Sequence, residues 1–509
     1  MNPNLASQAD ATSYDRVPYP GRPAPASHCR RLEAVAALFG LSPAPPATAR
    51  VLELGCGFGG NLLPQAVEYP AARFVGCDAA ATAIAAAEAQ ARALGLANVE
   101  LRHEDLCGVD AGWGRFDYVI CTGVFSWVGP DVRRRILEIL RTNLAPGGVA
   151  YVSYNTLPGW HLRRAVRDLM CYHAAGFDDP TQAVAQARAA LALVAEAQPD
   201  DTAYAALIRE EYAKLSRADD WYLYHEMLEE HNQPVAFQEF VRQAEAAGLQ
   251  YVGAADLPRM FAHDLPPSAR TFVDGLPLEA REQYLDFLRG NAFRRDILCL
   301  RELSPDRRPD PSALDRFSVG LTHDARPEAD ESGEPLRLCV GRCDLPCPAP
   351  LAAAVRHVAE RRPEFVPVSR LREIARRPPG SDDGDCLMRF LLDAVTAGAL
   401  EAVLSPPRVT GRVGERPVAS PWARLQAGGD GTLTNQNHEP VPISDVARMT
   451  VRLLDGTRDR RAVAEAVGRE VNAGRVPPGR LNGAGEPADV AGLVDHVLAG
   501  LARAALLIA

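Results

Sequence analysis

Residues 50–61, RVLELGCGFGGN, decide the fold. Val51, Leu52 and Leu54 make a short apolar run suited to a strand buried on both faces of a parallel sheet. Gly55, Gly57, Gly59 and Gly60 follow at once, where a chain without Cβ atoms turns tightly and lets a ligand approach its backbone. Leu62 and Leu63 then open a helix whose first amides face that ligand. A strand, a glycine turn and a helix in this order predict a nucleotide-cofactor loop after the first strand of an α/β sheet.

The glycine spacing leaves the cofactor open. Gly55, Gly57 and Gly60 satisfy the dinucleotide pattern G-x-G-x-x-G. Glu53, two residues before the first glycine, separates the choices, because a carboxylate there attracts a cation and repels a pyrophosphate. S-adenosylmethionine carries an ammonium and a sulfonium; NAD carries two phosphates. On these residues the chain resembles class I S-adenosylmethionine-dependent methyltransferases, whose first motif is an acidic residue, one residue, then G-x-G-x-G.

Downstream segments alternate strand and helix. Arg73–Cys77 reads as a second strand ending at Asp78, about 20 residues past the glycines, where a carboxylate suits ribose hydroxyls and can also cap the Ala-rich helix 79–94. Val99–Arg102 reads as strand three, and 116–122 as strand four. Helix 131–144, a turn at 145–148 and strand five, Val149–Tyr154, complete a doubly wound parallel sheet. In the methyltransferase fold an acidic residue after strand three meets the adenine; Asp105 is the candidate and Glu104 the reserve. The loops after strands four and five, GVFSWV (123–128) and SYNTLPGWH (153–161), fall on the carboxyl edge of the sheet. Phe125, Trp127, Tyr154 and Trp160 would line a dry pocket there, because methyl transfer needs alignment and exclusion of water more than an acid–base pair. Core packing is the other reading of each ring.

The flanking segments organise around that sheet. Residues 11–30 are rich in Pro and aromatics, either an arm packed on the core or a lid with Tyr14 and Tyr19 over the cofactor. Residues 237–254 read as a late helix and strand of the sheet, so 161–235 are mostly a helical insertion, suited to a dimer or substrate surface or to a simple cap. His225 and His231 lie among aromatics and acids at 221–235, a pattern of core under charged helices rather than of metal ligands. Residues 268–301 read as continuing helix, 304–336 as a linker rich in Pro, Asp and Arg, and two further modules follow, each closing on a long helix, a small-residue turn and an apolar strand. The expected divisions are an arm at 1–30, a core at 31–160, an insertion at 161–303, a middle domain at 337–420 and a C-terminal domain at 421–509.

Composition narrows the function. The 509 residues are 47% hydrophobic and 24% charged with net charge −10, an ordinary globular balance that disfavours nucleic acid or an anionic membrane as main partner. No apolar run reaches membrane-spanning length, and the N-terminus shows no signal peptide. Eleven scattered cysteines suit a reducing cytoplasm, and Cys339, Cys343 and Cys347 at i+4 steps lack zinc-ligand pairing.

Six segments carry a fuller resemblance: 12–20 (TSYDRVPYP), 51–61, 154–160 (YNTLPGW), 224–235 (YHEMLEEHNQPV), 284–298 (YLDFLRGNAFRRDIL) and 454–458 (LDGTR). They resemble bacterial methyltransferases with a methyltransferase regulatory domain, a group that includes the rickettsial lysine methyltransferases of outer-membrane protein. Phe58 departs from that pattern, where a small or polar residue is expected. The resemblance implies a Rossmann-like seven-stranded sheet with a helical insertion, plus smaller C-terminal α+β, winged-helix-like domains. It implies S-adenosyl-L-methionine as cofactor, no metal, a cytoplasmic homodimer, and a protein substrate such as an outer-membrane protein before export. Glu53 would meet the methionine amino group, Gly55, Gly57 and Gly59 shape the loop, Asp78 hold the ribose and Asp105 the adenine, with Tyr14, Cys56, Asn61 and Leu106 in the same cofactor set. The acceptor amine must be neutral to attack, so the rings at 125, 127, 154 and 160 would desolvate it and Asn155 would accept its hydrogen bond. The alternatives are a small-molecule methyltransferase, a non-catalytic S-adenosylmethionine-binding recruitment protein and a dehydrogenase.

Overall fold

The computed structural model describes residues 12–199, 201–328, 337–375, 383–473 and 490–508. The signal-peptide reading and the last part of the expected linker fall outside them.

Seven strands form the central sheet: β1 (Arg50–Leu54), β2 (Arg73–Asp78), β3 (Val99–His103), β4 (Phe116–Cys121), β5 (Leu144–Asn155), β6 (Leu249–Ala254) and β7 (Phe293–Leu300). Their order is β3-β2-β1-β4-β5-β7-β6. The first five are parallel, and β7 runs antiparallel between β5 and β6. Val51, Leu52 and Leu54 of β1 are fully buried, as a strand covered on both faces requires. The order reverses between β1 and β4, and that switch point opens a crevice at the strands' carboxyl ends.

Two expectations need correction. Helix does not run on to 301: it stops at Arg289, where Gly290 adopts φ 60°, and the chain re-enters the sheet as β7. Two charges of this stretch, Arg294 and Asp296, are buried. Arg294 donates to Glu282, Asp286 and Asp296 at 2.8, 2.9 and 3.0 Å, which pins the helix Leu278–Arg289 to β7. Nor is 304–336 a plain linker. Phe317 and Val319 are buried, and Ser318–Leu321 pairs with Val366–Pro367 and Leu400–Val403 in a separate three-stranded sheet. Two apolar residues among many charges gave too short a pattern to mark that strand.

The helices Gly159–Ala174, Pro180–Glu196 and Ala203–Leu215 bury an apolar cluster of their own beside the sheet. The described residues of 419–473 and 490–507 close around another. The described apolar residues between Leu314 and Ala402 share one continuous core with the sheet, and the helix Cys29–Leu38 contributes to it.

Candidate active site

At the switch point the glycine turn is held by β2. The Gly55 and Cys56 amides both donate to the Cys77 carbonyl, at 2.9 and 3.0 Å. The Gly57 amide donates to Asp78 Oδ2 at 2.8 Å, and Ala80 N donates to Oδ1 at 2.9 Å. Asp78 therefore ties the loop to the residue before the helix Ala81–Ala93, but it does not cap that helix: the N-cap is Ala80, with no side-chain cap bond. Burial raises its pKa, against the pull of those two amides. Gly55, Gly57 and Gly59 have φ of 71°, 50° and 75°, the left-handed region that glycine tolerates. A Cβ built on Gly57 meets nothing within 4 Å, so the loop borders open space. Phe58 lies against the arm, its Cβ 3.0 Å from where a Gly21 Cβ would stand.

Glu53 lies beneath this turn at 2% exposure. Asn61 Nδ2 donates to its Oε1 at 2.7 Å, while Oε2 is buried with no hydrogen-bond partner among the described residues. Burial pushes the carboxyl up to about 8, with the Asn61 bond pulling it down and the nearby Asp78 raising it. A buried carboxylate oxygen without a donor, under a glycine turn bordering open space, fits a cationic group and would repel a phosphate.

The arm closes over the loop from outside. Its first turn, Ser13–Arg16, is capped by Thr12, and Asp15 Oδ1 accepts from Thr82 N and Oγ1 at 3.1 and 2.7 Å. Tyr14 stacks on His225 of the insertion, centroids 4.3 Å apart, and its phenol is raised by burial and by Glu229, Tyr19 and Asp78. His225 lies within hydrogen-bond distance of Glu229 Oε1 (2.8 Å) and the Val17 carbonyl (2.6 Å). Further along, a Cβ on Gly60 would fall 2.2 Å from the Gly21 carbonyl carbon, so the arm backbone rides on that glycine. Tyr19 meets Trp221 edge-on at 4.7 Å.

The remaining candidates divide. Asp105 is exposed and accepts from Cys107 N at 2.7 Å, and Leu106 beside it is buried. Trp127 is half-buried on the loop after β4. Asn155 ends β5; its Nδ2 donates to Asn232 Oδ1 at 3.1 Å, and its amide donates to Ser126 Oγ at 2.8 Å. Phe125 and Tyr154 do not form an open pocket wall. Tyr154 stacks on Phe240 at 4.2 Å, Phe125 meets the same ring edge-on at 5.3 Å, and the Tyr154 hydroxyl donates to Asp296 Oδ2 at 2.6 Å. Tyr154 belongs to β5, as the expected strand Val149–Tyr154 had it, and its ring is buried in the core. Trp160 is buried at the start of the helix Gly159–Ala174 under Arg163, whose guanidinium sits 4.7 Å from its ring.

Several polar neighbours of the site had no sequence signal. Ser27 and Ser126 carry no motif, and Asn232 lies in the segment 224–235 without a residue role having been read for it. His438 touches Asn61 Oδ1 at 2.8 Å from 377 positions away, and only tertiary structure joins them. Among the described residues no group of three or more His, Cys, Asp or Glu could hold a metal ion, and no helix is long and apolar enough to cross a membrane.

Three family models match the chain: a methyltransferase domain at 51–148, a "predicted methyltransferase regulatory domain" at 219–300, and a "PKMT, C-terminal winged helix domain" at 415–506. The Rickettsia prowazekii protein RP789 is 31% identical over 484 residues, covering 92% of this chain and 88% of that protein. RP028 of the same organism is 35% identical over 242 residues, 47% of this chain and 97% of that protein. Among solved structures, PKMT2 from Rickettsia typhi in complex with AdoHcy superposes with a TM-score of 0.85 at 27% identity, covering 97% of this chain and all of that one. With a carboxylate-led glycine turn at the switch point of a seven-stranded sheet, and with that full-length likeness, the chain belongs to the class I S-adenosylmethionine-dependent methyltransferases that carry a methyltransferase regulatory domain.

Proposed function

We propose that the methyl acceptor is the ε-amine of lysine in a protein substrate. The observation that carries this reading is the end-to-end likeness to PKMT2, which takes in the insertion, the middle domain and the C-terminal module as well as the sheet. A likeness confined to the sheet would speak only for methyl transfer.

S-adenosylmethionine, when bound, supplies a methyl group on a positively charged sulfur. Glu53 Oε2 would receive the ammonium of its methionine end, Asp78 the ribose and Asp105 the adenine edge, with the Leu106 backbone beside it. Tyr14 and the Gly21 segment exclude water from above. On the acceptor side, Asn232 takes the Asn155 amide nitrogen and so aims Asn155 Oδ1 elsewhere, an acceptor for an amine N–H. Trp127 desolvates the same edge, which lowers an amine's pKa and favours the neutral form that attacks. Phe125 and Tyr154 support this edge from the core.

The same reading places the chain in the cytoplasm as a homodimer, acting on an outer-membrane protein before export. All eleven cysteines are free thiols, and the insertion exposes Leu162, Tyr172 and Leu193. The test is incubation with methyl-labelled S-adenosylmethionine and a lysine-bearing protein from such a host. Label should enter the protein and vanish when its lysines are blocked by acetylation, which turns each amine into a non-nucleophilic amide. Label confined to small molecules would refute the proposal.

A further inference from the structure

We infer that His438, from the C-terminal module, is a positioning residue for the cofactor-binding carboxylate, acting through Asn61. The inference rests on the cofactor site described above.

His438 sits in the loop between the short paired strands Leu433–Thr434 and Pro440–Val441. The loop is tightly built: Asn435 Oδ1 accepts from Asn437 N and Glu439 N at 2.9 Å each, and His438 N donates to Asn435 O at 3.0 Å. His438 is 3% exposed and has φ 63°, a costly backbone conformation for a residue with a Cβ. The loop is anchored on both sides. Gln436 N donates to Ala505 O within the module, and Arg30 Nη2 donates across to Gln436 O at 3.0 Å. Trp422 packs with Leu63 and Ala91 of the sheet domain. The strained residue is thereby pressed against the glycine turn.

What it does there follows from the chemistry of an amide. Asn61 offers an acceptor at one end and two donors at the other, and a flip exchanges them. The Ala24 backbone N–H, which can only donate, lies 2.9 Å from Oδ1 and identifies the oxygen. His438 Nε2, 2.8 Å from the same oxygen, must then carry its proton and donate. The ring is buried, which drives its pKa well below the ordinary value and keeps it neutral. With its oxygen held by these two donors, Asn61 turns Nδ2 to Glu53 Oε1 at 2.7 Å and to Ser27 Oγ at 3.0 Å. The flipped amide would face the carboxylate with oxygen and oppose its ionisation. His438 therefore helps fix the orientation in which Glu53 is charged, with Oε2 turned to the cofactor.

The experiment is calorimetric titration of S-adenosylhomocysteine into full-length variants. His438→Met keeps volume and loses the donor; His438→Gln keeps a donor. Both meet the same backbone strain, so the comparison cancels it. His438→Met should weaken binding about fivefold, the size of one hydrogen bond, and His438→Gln less than about twofold. On an Asn61→Ala background, His438→Met should add less than about twofold. Equal losses in Met and Gln, an undiminished effect on the Asn61→Ala background, or wild-type binding by His438→Met would each overturn the inference. Circular dichroism of the cofactor-free variants confirms that the comparison is made on folded chains.

Discussion

Replacing Glu53 with Gln should move stability and cofactor affinity in opposite directions. The folded-state pKa near 8 lies above the ordinary 4.5 because burial disfavours the charge. Between those values the folded chain holds a proton that the unfolded chain has released. Stability is therefore unpenalised below about pH 4.5 and falls as pH climbs towards about 8. The gap corresponds to at most ~5 kcal/mol once both states are ionised. Glu53→Gln keeps the shape and the acceptor for Asn61, and removes the charge. It also leaves amide hydrogens where Oε2 was partnerless, which costs about 1–3 kcal/mol. The net expectation at about pH 8 is a cofactor-free protein more stable by roughly 1–3 kcal/mol, read from urea unfolding. Binding of S-adenosylhomocysteine should weaken about 10- to 150-fold, from loss of a charge-assisted hydrogen bond worth about 1.5–3 kcal/mol. In the wild type, affinity should rise roughly tenfold from about pH 6.5 to about pH 8, because the ionised fraction is the competent one. The Gln variant should lack that slope. A Gln variant that is less stable without cofactor, or one that keeps the pH slope, would refute the reasoning.

Three further substitutions probe the surroundings. Gly60→Ala puts a methyl 2.2 Å from the Gly21 carbonyl carbon, so the arm must lift; S-adenosylhomocysteine affinity should fall at least about tenfold, with faster proteolysis near 18–26, and unchanged values of both would separate the arm from the cofactor site. Tyr154→Phe deletes the bond to Asp296 and should cost about 1–2 kcal/mol in urea unfolding while kcat stays within about twofold, since the ring lies in the core; a large fall in kcat would return Tyr154 to the pocket. Arg294→Met leaves Glu282, Asp286 and Asp296 buried without their shared cation and should destabilise by about 3–5 kcal/mol, checked by chemical denaturation.

The sheet and its cofactor turn were legible because their signals are local. A buried strand, a left-handed glycine series and a helix start lie within Arg50–Leu63, and Glu53 adds its charge in the same window. What escaped the reading is non-local in each case. The charges of β7 look solvated until Glu282 and Asp286 arrive to pair with Arg294. Tyr14 finds His225 across 211 positions, and Asn61 finds His438 across 377. The aromatic set at 123–161 was visible as composition, but which ring faces the crevice depends on where the strand ends, and three of the four, Phe125, Tyr154 and Trp160, are buried while Trp127 is half-buried. The chemistry at the carboxylate is thus written beside it, whereas the asparagine bonded to it is held by neighbours drawn from the arm and the C-terminal hairpin. A catalytic sheet of this kind needs only the local motif to bind its cofactor. Placing a strained histidine of the far module against the same asparagine makes the docking of that module one of the terms in cofactor affinity, and a chain without the module would have to hold Asn61 with Ala24 and Ser27 alone.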